Sequence, residues 1–204
     1  ENAMLLMLST LAGVASLLAV ICHMSLRWTH ILQQCSYQNP SYYRWLRENR
    51  AQWTPARRWV VLPAGLLALA LPLALWGWVV CAFSLLHIWL NPPRHGRGAK
   101  KPLVFTARVK RLLACEWGLC ALLCAVTLWL WPPLCLFALS LYACLTPWLA
   151  AWCNALNAPV ERRIAQKYID EARAIVQGIP GLTVVGITGS YGKTSTKHYL
   201  YALL

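Results

Sequence analysis

Acidic side chains, and charges of either sign, are scarce in this 204-residue chain. Only 12% of the residues are charged, with 6 Asp or Glu against 19 Lys or Arg, so the net charge is +13. An ordinary soluble domain has about a quarter of its residues charged. The 59% apolar content excludes a disordered chain, and no glycine period suggests collagen. A nucleic-acid-binding domain would explain the sign of the charge but not the long uncharged runs, so we predict no nucleic-acid partner.

Three apolar stretches separate three blocks of cations, at residues 4–22, 59–90 and 112–157. A membrane-spanning helix needs about 20 apolar residues. The first stretch therefore fits one span, and the third fits two spans with a turn at 131–133. The second stretch is long for one span and short for two.

The charges of the connecting loops decide how often the second stretch crosses. Loops 23–58 and 91–111 are both strongly basic, and short basic loops stay on the cytoplasmic side of a membrane. The stretch 59–90 is therefore predicted to be a hairpin that turns near 75–77; a single tilted span is the alternative. The sequence predicts an all-α membrane domain over 4–157 with about five transmembrane helices, one followed by two hairpins.

A repeated Trp-x-Trp motif supports the two hairpins. Trp76 begins one motif 18 residues after Arg58, and Trp129 begins the other 18 residues after Arg111. Tryptophan favours the membrane–water interface, so both motifs are predicted to mark turns on the outer side.

The first apolar stretch has no basic residue before it, so we interpret it as a retained span and not as a cleaved signal peptide. This predicts an external N-terminus. Residues 1–3, which precede Met4, are interpreted as the remnant of an expression tag.

Most of the nine cysteines lie in or beside apolar segments, and we interpret them as small apolar side chains without a metal site. Glu116 is the only charged residue in the third stretch. Its nearness to Lys110 and Arg111 predicts an ion pair at the interface; a functional intramembrane acid is the alternative. The basic loops are predicted to contact anionic lipid headgroups or a phosphate-bearing substrate.

The composition changes after Asn157. Helical periodicity begins near Pro159, and residues 182–188 read as a buried parallel strand. A glycine-rich loop, 189–196, and the start of a helix follow. Residues 158–204 are therefore predicted to be the truncated start of an α/β P-loop ATPase domain.

The loop contains the predicted functional residues. Glycines let backbone N–H groups approach phosphate oxygens, and the helix N-terminus favours a negative charge. Lys193, also the predicted catalytic residue, is expected to contact the phosphates of ATP, and the Thr194 hydroxyl to hold Mg²⁺. The predicted ATP-binding residues are Gly189, Ser190, Tyr191, Gly192, Lys193, Thr194 and Ser195.

Residues 186–197, with the shortened pattern Gly-x-x-Gly-Lys-Thr, resemble the ATP loop of the Mur ligases of peptidoglycan synthesis. The loop is most similar to that of members that add D-alanyl-D-alanine to UDP-N-acetylmuramoyl-tripeptide. The resemblance implies ATP and Mg²⁺ as cofactors, an acyl-phosphate intermediate and amide formation. It covers about a dozen residues, and the family's remaining catalytic residues come later, so this chain alone is not expected to catalyse ligation.

The sequence as a whole predicts the membrane-anchored N-terminal part of an ATP-dependent Mur-type ligase. It is expected to be a multi-pass protein of the bacterial inner membrane with the ATP module in the cytoplasm. UDP-muramoyl peptide or lipid-linked cell-wall intermediates are the predicted partners. The alternatives are a membrane scaffold and an ATP-driven transporter of a lipid or precursor; folylpolyglutamate synthases are a further enzyme alternative.

Overall fold

In the computed structural model all regular secondary structure of the described residues is helical, and no strand is assigned in them. The described residues are 2–50, 59–70, 75–92 and 102–203. The helices are α1 (Asn2–Gln34), α2 (Asn39–Glu48), α3 (Val61–Ala70), α4 (Trp76–Leu90), α5 (Ala107–Leu130), α6 (Pro132–Gln177) and α7 (Lys193–Leu203). The chain divides into two units, Glu1–Glu161 and Arg162–Leu204.

Three helices, α1, α5 and α6, are long and apolar enough to cross a membrane, whereas about five such helices were predicted. The shorter apolar helices α3 and α4 lie in the stretch predicted to form a hairpin. With 10 and 15 residues, they are about 15 Å and 22 Å long. Both are shorter than the roughly 30 Å of a bilayer's hydrocarbon core. The predicted turn falls at the start of α4, and residues 71–74 lie outside the described residues.

Helices α1 and α4 run parallel and cross closely. Gly77 at the start of α4 lies against the backbone of Ser9 and beside Gly13. Towards the other end of the pair, a ring nitrogen of His23 lies 2.7 Å from the Asn91 carbonyl oxygen. Small residues at this crossing let the two backbones approach, as they do between helices in membranes.

Helix α5 runs antiparallel to both α1 and α6. The side-chain amide of Gln33, at the end of α1, forms two hydrogen bonds with the backbone of Val104, just before α5. Its Nε2 donates to the Val104 carbonyl at 2.9 Å, and its Oε1 accepts from the Val104 N–H at 3.1 Å. The Tyr142 hydroxyl of α6 donates to the Glu116 carbonyl of α5 at 2.7 Å. Thr106 caps the start of α5 by accepting from the Val109 N–H.

The two ends of the first unit differ in chemistry. At one end, which we call the tryptophan end, Trp76 and Trp131 line the same cavity of about 220 Å³ together with Ser9 of α1. At the other, the basic end, the residues after α1 meet the start of α5 and the middle of α6. The geometry thus places both predicted Trp-x-Trp turns at one end of the helical unit.

Helix α6 continues through two prolines. Pro147 has no N–H for the carbonyl of Ala143, and the Thr146 hydroxyl donates to that oxygen instead, at 2.8 Å. Pro159, predicted to begin a new helix, lies inside α6. That prediction was wrong, because the residues on both sides of Pro159 are helical and α6 runs through it without a break.

The second unit contains the end of α6, the segment 178–192 and α7. The strand predicted over 182–188 is not formed, and Val184 and Val185 are 74% and 57% exposed. A parallel strand is stable only when paired and covered on both faces. No partner strand is present in the described residues.

Gly77→Ala is expected to destabilise the fold by about 1–3 kcal/mol, because the added methyl overlaps the Ser9 carbonyl, which belongs to backbone that cannot rotate away. Thermal unfolding in detergent micelles measures the effect. Gly118→Ala in α5 is the matched control, since a Cβ there meets nothing within 4 Å. Equal unfolding temperatures for the two variants would contradict the close crossing.

Candidate functional site

The predicted ATP loop takes up a glycine-dependent backbone conformation. Gly189 and Gly192 have positive φ angles of 150° and 76°, in a region that side chains with a Cβ rarely adopt. Helix α7 begins directly afterwards, at Lys193. The Thr196 N–H and hydroxyl both donate to the Gly192 carbonyl, at 2.8 and 3.0 Å, which closes the first turn.

The first turn of α7 leaves donors available for an anion. The N–H groups of Lys193, Thr194 and Ser195 have no partner within their own helix, as at any helix start. The Lys193 ammonium folds back and donates to the Gly189 carbonyl, so it lies over the loop. This set of donors suits phosphate oxygens.

All seven predicted ATP-binding residues lie consecutively in the loop and the first turn of α7, and all are exposed, Tyr191 at 98%. They lie close together because they are neighbours in the sequence. In the described residues no group of three His, Cys, Asp or Glu side chains could hold a metal ion. Thr194, the predicted Mg²⁺ ligand, is exposed in the first turn of α7.

A second polar site lies at the basic end, and the sequence analysis missed it. The amide of Asn154 in α6 donates to the Tyr37 carbonyl at 2.9 Å and to Asn39 Oδ1 at 2.7 Å. Asn39 in turn donates to the Ala151 carbonyl at 3.0 Å. This network fastens α2 to α6. An amide side chain inside an otherwise apolar stretch is the signal that would have indicated it.

Arg108 joins this network. Its guanidinium stacks over the Tyr37 ring at 4.0 Å and reaches Asn154 Oδ1 at 3.5 Å. Arg108 and Arg111 both contact Glu161, at 4.0 and 2.7 Å. The Glu161 carboxylate therefore contacts two arginines at this end of the unit.

The ion pair predicted for Glu116 with the nearby Lys110 and Arg111 is not formed among the described residues, and Arg111 pairs with Glu161. Glu116 instead lies between helices and is 1% exposed. Ser25 of α1 faces its carboxyl group. Its Oε1 atom has no hydrogen-bond partner among the described residues.

The cysteines are all free thiols. The sulfur atoms of Cys124 and Cys135 lie 3.7 Å apart across the turn that joins α5 and α6. This separation is a packing contact and not a disulfide bond, whose sulfur atoms lie about 2.0 Å apart.

Comparison with protein-family models, curated proteins and solved structures finds no match to this chain. The resemblance of residues 186–197 to the Mur ligases, and the activity that it implies, therefore stay predictions that rest on the loop itself.

Asn154→Leu is expected to destabilise the protein by about 1–3 kcal/mol, because it removes the donor to two half-buried acceptors, the Tyr37 carbonyl and Asn39 Oδ1. Asn157→Leu is the control, since the Asn157 amide donates to the Cys153 carbonyl of its own helix. Unfolding in denaturant compares the two variants. If Asn157→Leu lowered the free energy of unfolding as much as Asn154→Leu, the hydrogen bonds of Asn154 would not be what holds α2 against α6.

Proposed function

We propose that this chain is the membrane-anchored N-terminal part of an ATP-dependent Mur-type amide ligase of peptidoglycan precursor synthesis. The observation that carries the proposal is the loop before α7. Its sequence resembles that of the ligase family, its two glycines have positive φ angles, and a helix begins at the lysine. In such an enzyme ATP supplies a phosphoryl group that converts the substrate carboxylate into an acyl phosphate.

The residues of this chain would bind and neutralise phosphate. The N–H groups of the first turn of α7 and the Lys193 ammonium would hold its oxygens, and the Thr194 hydroxyl would contribute to Mg²⁺ binding. The resemblance implies that the acidic Mg²⁺ ligands come later in the family's sequence than the ATP loop.

The exposed segment before the loop supports an incomplete nucleotide-binding domain. Residues 182–188 are mostly β-branched, yet the apolar Val184 and Val185 face solvent. A parallel sheet would cover such residues on both faces. We propose that further strands from the continuation of the protein pair with this segment and complete the α/β domain.

The charge distribution supports a membrane orientation. The basic end would face the cytoplasm and the tryptophan end the outside of a bacterial inner membrane. Helices α3 and α4 would form a short hairpin that completes five crossings. The N-terminus would then lie outside and the ATP loop in the cytoplasm, with anionic headgroups beside the basic loops.

A second candidate function is transport of a lipid or precursor. The buried Glu116 favours it, because acids within membrane-spanning helices often mark transport pathways. A scaffold without catalysis is the remaining alternative, and the phosphate-binding loop argues against it.

Lys193→Ala is expected to lower ligase activity at least ~100-fold, because it removes a donor to the transferring phosphoryl group. The assay measures phosphate release from ATP that depends on UDP-muramoyl-tripeptide and D-alanyl-D-alanine, with the reading frame continued past Leu204. Lys197→Ala, one turn further along α7, is the control and is expected to change activity less than about threefold. Phosphate release without either substrate would reject the ligase assignment, and equal effects of the two variants would reject the role of Lys193.

The orientation predicts that external protease removes an epitope tag fused before Met4 in spheroplasts but leaves a tag fused after the ATP loop intact. Permeabilised cells, in which both tags are expected to be cut, provide the control. Protection of the N-terminal tag in intact spheroplasts would contradict five crossings with an external N-terminus.

A further inference from the structure

An apolar groove of about 410 Å³ runs between α1 and α5 in the first unit. Its α1 side is formed by Leu18, Ile21 and Cys22. On the α5 side, Trp117 is followed by four small residues, Cys120, Ala121, Cys124 and Ala125.

The small side chains of α5 create the groove, because they leave a depression beside the larger Leu18 and Ile21 of α1. Both helices are long and apolar enough to cross a membrane, so the groove lies where hydrocarbon would surround it. An occupant must therefore be apolar along most of its length.

A cation lies on the same face of α5 as the groove. Lys110, Ala114, Trp117 and Ala121 follow spacings of four, three and four residues, which keep one helix face. Lys110 is exposed and lies about 10 Å from Trp117 along the helix axis, towards the basic end. It forms no ion pair with the described residues, whereas Arg108 and Arg111 both contact Glu161.

We infer that the groove binds the hydrocarbon chain of a single-chain lipid phosphate, with the phosphate held by Lys110. This inference rests on the proposed ligase function, for which it names the substrate class: an acyl substrate carried on a lipid phosphate. A chain seated between α1 and α5 and a headgroup at the basic end would keep such a substrate on the side of the membrane where ATP is.

Charge and shape favour this occupant over two others. A second copy packed symmetrically and in parallel on this face would bring two Lys110 ammonium groups together, and their like charges would repel. A two-chain phospholipid would leave its second chain outside a groove formed by a single pair of helices. A single chain that ends in a phosphate matches both the apolar groove and the cation.

The test uses the protein in lipid nanodiscs and a polyprenyl phosphate with a photoactivatable diazirine in its chain. Peptide mapping is expected to place the label on the groove residues of α1 and α5. Ala121→Trp, which fills the groove, is expected to reduce labelling at least fivefold. Leu122→Trp is the matched control, because Leu122 is 64% exposed on another face of α5 and should leave labelling unchanged.

Lys110→Gln is expected to reduce labelling about three- to tenfold, because it removes one charge-assisted contact to phosphate. Thermal unfolding of each variant shows whether the fold is retained. A diazirine-bearing phosphatidylglycerol that labels the groove equally well would overturn the inference, and so would unchanged labelling of Ala121→Trp. Cross-linked dimers through Cys124 without lipid labelling would assign the groove to a second copy.

The outcome is separable from that of the ligase proposal. Phosphate release that depends on Lys193 and proceeds with a soluble muramoyl peptide, combined with no groove labelling, would keep the ligase and reject the lipid-linked substrate. Groove labelling without Lys193-dependent phosphate release would keep the lipid site and reject the ligase.

Discussion

The hydrogen bonds that polar groups must find inside a hydrocarbon medium determine most of this structure. Helices satisfy their own backbone groups, which is why the apolar stretches fold as helices. Where a helix cannot do so, a neighbouring side chain takes over. Thr146 donates to the carbonyl that Pro147 leaves without its helical partner, and the Tyr42 hydroxyl donates to the Pro147 carbonyl at 2.8 Å. Pro147 is thus accommodated within α6, because the Thr146 hydroxyl replaces the missing N–H donor.

The sequence predicted the features that depend on composition along the chain. Spans require long apolar runs, and arginines and lysines cannot enter hydrocarbon cheaply, so the apolar parts of α1, α5 and α6 follow from the distribution of apolar and charged residues. The two Trp-x-Trp motifs were also informative, because both were predicted to mark turns on one side. Trp76 and Trp131 accordingly line one cavity.

The contacts between distant positions could not be predicted in this way. Nothing in the local pattern indicates that Gly77 meets Ser9, that Asn154 bonds to Asn39, or that Arg111 selects Glu161. Periodicity predicts a helix and its apolar face. Which residue of a neighbouring helix contacts that face depends on where the two helices cross, and a single sequence does not reveal the crossing position. The strand at 182–188 shows the same limit, because a strand exists only through its neighbours.

Glu116 illustrates how competition among partners leaves one group in an unusual place. Arg111 lies only five residues away, but Glu161 offers it a contact of 2.7 Å where both side chains remain partly exposed, and Arg108 shares the same carboxylate. The interior acid is left facing Ser25, with one oxygen unpaired among the described residues. A packed apolar side chain there would avoid the cost of burying a polar group. A buried carboxyl group with one oxygen unpaired among the described residues breaks the rule that buried polar atoms find partners, and positions that break such a rule are often functional.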